Sequence, residues 1–242
     1  MHEKDRGNRE VASDQQRHVR RSPLLFTTPL VLLAVLALVL LWEITRGNVT
    51  GELSRQWPWR LQLMDTDALG SLLAVALAAV LGRAQYARTV RPALGWRSSW
   101  VPGAFAPDEP AWEAGVLNGG PQHAVVERVE YQLVPHDGVP GAWTDHAGLL
   151  RELAAMGLVH GKHYRQMLVG AGFPLPGATG YETAPHGAYT QRFVDEVDEL
   201  RLRLRVTDAV GDSHERVMDL MRGARLERPG AAGSGLIVGP GA

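Results

Sequence analysis

LLFTTPLVLLAVLALVLLWEI, Leu24 to Ile44, holds no charge until Glu43. As a helix its 21 residues cover roughly 31 Å, close to a hydrocarbon core of about 30 Å. From Leu24 to Leu41, 13 positions are Leu, Val or Phe. They favour membrane insertion by roughly 4 to 8 kcal/mol before Pro29 and the threonines are discounted. The run is apolar all round, so it lacks the polar face of a soluble amphipathic helix. The run differs from a secretory signal peptide. The apolar core is too long, it follows a polar tail, and no small-residue cleavage site comes after Leu41. We read an uncleaved anchor.

A second run follows at Ala68 to Gly82, ALGSLLAVALAAVLG. Its charge-free length is short for a span unless Thr66 and Asp67 sit at one interface and Arg83 snorkels at the other. Its large apolar residues favour insertion by roughly 2 to 4 kcal/mol, so it gains from a helical partner. Gly70, Ala74, Ala78 and Gly82 recur every four residues, a small-residue stripe that lets helix backbones approach closely. The two runs predict a transmembrane hairpin over residues 23–88, with spans at 24–44 and 66–86.

Arginine bias sets the expected orientation. Arg17, Arg20 and Arg21 precede the first span, and Arg83 and Arg88 close the second. These flanks carry more arginine than the loop, which has Arg46, Arg55 and Arg60. The positive-inside rule then places both termini in the cytoplasm of a cell membrane. Trp42, Trp57 and Trp59 fall at the outer interface. The same flanking arginines are the expected contacts with anionic lipid.

Residues 1–22 read as a disordered basic tail, and 223–242 as a disordered Gly-rich tail. Residues 89–110 read as a linker, because Pro92, Pro102, Pro107 and Pro110 disfavour a continuous helix. Residues 111–222 form the soluble domain, and the periodicity there is mostly two. Val125, Val129, Tyr131 and Leu133 share one strand face; Leu200, Leu202, Leu204 and Val206 share another, alternating with Arg201, Arg203 and Arg205. Asn118-Gly119-Gly120-Pro121 and the segment around Gly211 are turns. Asp145 to Met156 is the one helical stretch, capped by Thr144 or Asp145 and ended at Gly157. The fold class is therefore a membrane α-helical hairpin with a mostly β soluble domain.

VLNGGPQHAVVERVEYQL, Val116 to Leu133, and LRLRVTDAVGDSHERVMDL, Leu202 to Leu220, resemble segments of bacterial membrane-tethered Ig-like domains. The resemblance covers about 40 residues and implies an Ig-like sandwich with an opening and a closing hairpin and one inserted helix. It implies an interaction or structural module and no chemistry.

Composition narrows the function further. The net charge of −1 gives no global field for nucleic acid, and the Arg201, Arg203 and Arg205 stripe lacks interleaved aromatics. The chain has no cysteine, which excludes disulfides, thiolate metal sites and a cysteine nucleophile. Arginine far outnumbers lysine, and alanine, glycine and valine abound, usage associated with GC-rich bacterial genomes. Histidine is the best candidate for chemistry. His160 and His163, with Asp145 and His146, supply metal-ligand types, but the HExxH glutamate and a helical register are missing. Ser213 lies in a hairpin turn and not in a nucleophile elbow. Asp195, Glu196, Asp198 and Glu199 suggest a solvated surface paired with arginine. The expectation is a membrane protein without catalysis and without a cofactor. Its partners are the lipid bilayer and either a second copy or a membrane-complex partner. A membrane-tethered metal-dependent enzyme is the competing reading.

Overall fold

The computed structural model describes residues 15–20, 23–107, 109–167, 169–177 and 183–229. Most of the two expected tails, including Arg21, therefore lies outside the described residues. The chain divides into two compact units, and their order along the sequence is unusual. Arg21–Thr89 forms one unit, while the segments before and after it together form the other.

The helical unit holds α1, Pro23–Gly47, and α2, Thr66–Thr89. Both are long and apolar enough to cross a membrane. They pack on each other. On α2 the buried or half-buried positions are Leu69, Leu73, Ala76, Val80, Arg83 and Ala87, spaced alternately four and three apart. That is the seam of a helix pair. Large apolar side chains elsewhere are left bare, among them Val31, Leu32, Leu38 and Val75. The loop is tied to the end of α1. Trp42 stacks on Trp59 at 5.4 Å and donates to the Leu61 carbonyl at 3.1 Å. Glu43, buried, accepts from the Leu63 N–H at 2.7 Å and from Arg46 at 2.8 Å.

The β unit contains two antiparallel sheets. The five-stranded sheet runs β1–β9–β8–β4–β6 and the four-stranded sheet β2–β3–β7–β5. Their strands are β1 Arg17–Arg20, β2 Leu94–Pro102, β3 Pro110–Asn118, β4 Ala124–Pro135, β5 Tyr164–Gln166, β6 Pro174–Leu175, β7 Ala184–Thr190, β8 Val197–Thr207 and β9 Ser213–Asp219. Helix α3, His146–Ala155, has Asp145 as N-cap, its Oδ1 accepting from the Gly148 N–H at 2.8 Å. Gly157 follows with φ 77°, the left-handed position that a helix terminus uses. A short α4, Gln191–Glu196, joins β7 to β8. One core connects both sheets. Leu200, Leu202, Leu204 and Val206 of β8 are wholly buried in it with Trp112, Tyr131 and Phe193. Each such aliphatic side chain contributes about 1.5–3 kcal/mol on burial.

Three expectations need correction. Residues 94–102 of the expected linker form β2, which pairs with β3 along its whole length. Its prolines stand at or beyond the strand ends, where no ladder hydrogen bond is lost. Trp96 and Trp100 pack against the core, and Trp100 meets Trp112 edge-on at 5.7 Å. Second, part of the basic tail is ordered as β1. Third, Val116 to Leu133 is no hairpin. β3 pairs with β2 and β7, and β4 with β8 and β6, so the Gly-Gly-Pro turn carries the chain from one sheet to the other. Gly120 allows that crossing, since a Cβ there would lie 2.5 Å from the Arg91 carbonyl. The closing hairpin is present: β8 pairs with β9 about a turn with Gly211 at φ 80°.

The closure by β1 joins sequence-distant pieces. Arg17 pairs with Glu215, His18 with His214, and Arg20 with Ser213. Gln16 then spans to the other sheet, donating to the Pro92 carbonyl at 2.7 Å and accepting from the Leu94 N–H at 2.8 Å. The strands on either side of the helical hairpin are thus held in one domain.

Candidate functional site

A group of buried and half-buried polar side chains lies between the sheets. Tyr131 comes from β4, Gln166 from β5, His186 and Tyr189 from β7, and His146 from the first position of α3. His186 stacks on the Tyr131 ring at 5.6 Å with a 26° tilt. His146 meets the same ring edge-on at 6.2 Å. Tyr189 donates to Gln166 Oε1 at 2.8 Å. Five buried atoms of this group have no hydrogen-bond partner: Tyr131 Oη, His146 Nδ1, Gln166 Nε2 and both ring nitrogens of His186. A buried polar group left without a partner carries a desolvation cost.

Burial also determines its charge. His186 is 0% exposed. Burial, reinforced by His146, pushes its pKa down to about 4. His146 is lowered by burial and then by His160, with Asp145 opposing. Burial raises the Tyr131 phenol to about 12, held back by nearby Gln166, which stands outside hydrogen-bond geometry. Tyr189 is raised by burial and by Tyr131. Both imidazoles and both phenols are therefore neutral at neutral pH, and the chemistry open to the cluster is proton uptake by the imidazoles.

The histidines singled out by spacing go to other uses. His163 is nearly buried, its Nδ1 accepting from the Val159 N–H at 3.0 Å, and Arg192 faces its Nε2 at 3.3 Å. Burial and then Arg192 lower its pKa. His160 is exposed and rests edge-on against Tyr164. Among the described residues no three His, Asp or Glu side chains converge as metal ligands. His214 and Asp208 form a buried pair at 2.9 Å; Asp208 Oδ1 also accepts from the Val210 and Asp212 N–H groups. Ser213 donates to Glu127, which removes it from any triad with His214.

The charged runs are internally matched. Arg201 pairs with Glu199, Arg203 with Glu130, and Arg205 with Glu215. Arg203 also lies 3.9 Å over the Trp143 ring. Asp195 pairs with Arg228, Glu196 with Arg192, and Asp198 with Arg225 and His136. His136, Asp195, Arg225 and Arg228 line a shallow cleft of about 310 Å³.

The expected membrane residues are placed as follows. Gly70, Ala74, Ala78 and Gly82 are all exposed on α2, off the seam with α1. A Cβ at Gly70 or Gly82 would meet nothing within 4 Å. Arg83 is half-buried, and Arg88 is exposed in the last turn of α2. Arg20 is exposed on β1, while Arg17 is committed to Glu215. The Tyr131–His146–Gln166–His186 group has no signature in its spacing. His186 sits in a stretch rich in Gly and Pro that reads as a loop, and only strand pairing reveals it. No protein-family model, curated protein or solved structure matches the chain.

Proposed function

We propose that the chain is an integral membrane protein of a bacterial cell membrane. Its two helices span the bilayer and display a β-sandwich interaction or structural module in the cytoplasm, without catalysis. One observation carries this reading. β1 precedes the hairpin and β2 follows it, yet both belong to one domain, joined by the β1–β9 ladder and by Gln16. A folded domain lies on one side of a membrane. If α1 crosses, α2 must cross back, however weak its own insertion energy. The arginine-rich flanks support a cytoplasmic side. The bare apolar surface of both helices supports lipid contact. The open stripe of Gly70, Ala74, Ala78 and Gly82 supports association with a second copy or a membrane-complex partner. The paired arginines of β8 give no support to a nucleic-acid partner.

The absence of cysteine makes the test direct. Single substitutions Ser13→Cys, Glu52→Cys and Leu226→Cys are labelled in intact cells and in opened membranes with an impermeant maleimide. Glu52→Cys reacts from outside, and the other two react only after opening. Ser13→Cys and Leu226→Cys on opposite sides would end the two-span reading. Both reacting from outside would reverse its orientation.

A further inference from the structure

The pair of buried His186 and half-buried His146 has no role in the membrane reading, and its geometry points to one. His146 on α3 and His186 on β7 both rest on the Tyr131 ring of β4, so one phenol joins the helix and both sheets. The groups around them are few. Tyr131 faces from β4, Gln166 from β5 and Tyr189 from β7. Gln166 Oε1 is already occupied by Tyr189. Asp145 and His160 act on His146, and the Asp145 carboxylate is engaged as the α3 cap. Among the described residues the titrating group that acts on His186 is His146, itself a base. Among the described residues, an added proton on His186 therefore meets a second imidazole and no carboxylate. A proton on His146 adds positive charge to the first turn of α3, where the helix dipole is already positive. A buried charge without a counter-charge is expensive, and local opening to water relieves it.

We propose that the His146–Tyr131–His186 cluster is an acid-sensitive clasp, whose protonation frees α3 and the edge strand β5 while β4, β8 and β9 stay paired. The released parts are the short elements. α3 has 10 residues and β5 has three. β4, by contrast, is paired with β8 from Val125 to Pro135. The clasp does not depend on which side of the membrane the domain occupies.

Hydrogen exchange read by mass spectrometry tests it on the full chain in lipid nanodiscs, corrected for the pH dependence of intrinsic exchange. Protection over residues 144–158 and 163–167 should fall by about tenfold or more as pH drops from 6.5 to 4. It should fall before protection in β8 and β9, and return on neutralisation. His186→Phe keeps an aromatic ring without a titrating nitrogen and should hold protection at acid pH. His146→Gln gives the same comparison should the phenylalanine variant not fold. Unchanged protection down to pH 4, simultaneous loss in all strands, or a wild-type acid response in the folded variants would overturn the clasp.

Discussion

Glu215 is where the strand before the hairpin meets the rest of the domain, so its energetics test the closure. Its side chain is 2% exposed. Arg17 reaches Oε1 with Nε at 3.0 Å and Nη2 at 2.5 Å, and Arg205 reaches Oε2 at 3.1 and 2.8 Å. Burial pushes the carboxyl pKa up, but hydrogen bonds from Arg17 and Arg205 outweigh it and hold it below the usual carboxylate range. The sign follows. This group stabilises the fold above its unfolded pKa, and that contribution is lost as pH falls through the folded one. Glu215→Ala removes the acceptor from two arginines and should cost about 3–5 kcal/mol, the cost of breaking a buried pair. Arg17→Ala leaves Glu215 with Arg205. The Arg17 side chain is 68% exposed, so solvent screens much of its bond. Its loss should cost about 1–2 kcal/mol. The double variant should then be more stable than the sum of the single losses, with a coupling of about 1–2 kcal/mol. Urea unfolding in detergent, followed by circular dichroism of the β domain, measures all four proteins. A coupling within about 0.5 kcal/mol of zero would show that β1 does not dock on β9 in solution. The requirement that α2 return across the membrane would fall with it.

Other perturbations reach different parts of the molecule. His186 has a folded pKa of about 4 against 6.5, so its contribution is complete above 6.5 and is lost as pH falls to 4, by about 3 kcal/mol at one unit per 1.4 kcal/mol. Urea midpoints of wild type and His186→Phe across that range should differ in pH slope, and equal slopes would sink the assignment. Gly148→Ala drives a Cβ into the Thr144 hydroxyl beside the α3 cap. It should cost about 1–3 kcal/mol, readable as a lower urea midpoint, and a neutral effect would contradict the packing. Ala78→Cys in the cysteine-free chain should form a disulfide-linked dimer when membranes are oxidised. Val31→Cys, on a bare face of α1, should not. Dimers at neither position would refute association through the α2 stripe.

The apolar runs were legible because lipid imposes a one-dimensional rule, a stretch of about twenty residues without charge. The β8 strand was legible for a similar reason. Strict alternation of leucine and arginine allows one face to be buried, and all five of its leucine and valine positions are. The α3 helix announced itself through a cap, an apolar stripe and a terminal glycine. β2 was hidden because its prolines look like linker punctuation, and their tolerance depends on where the strand ends fall. The basic run of β1 was hidden because four residues carry too little periodicity to signal a strand. Its partner, β9, lies almost 200 positions away, from Arg17 to Glu215.

Sequence alone therefore determined the two candidate spans, the arginine bias, the period-two character of the domain and the exclusion of thiol chemistry. Each depends on composition or spacing within a single segment. Tertiary structure decided that the domain is split by the hairpin, that the α2 stripe faces away from α1, and which histidines are buried together. These are contacts between distant segments. They follow from how strands pair across a closed core, and no local pattern in the chain encodes that pairing.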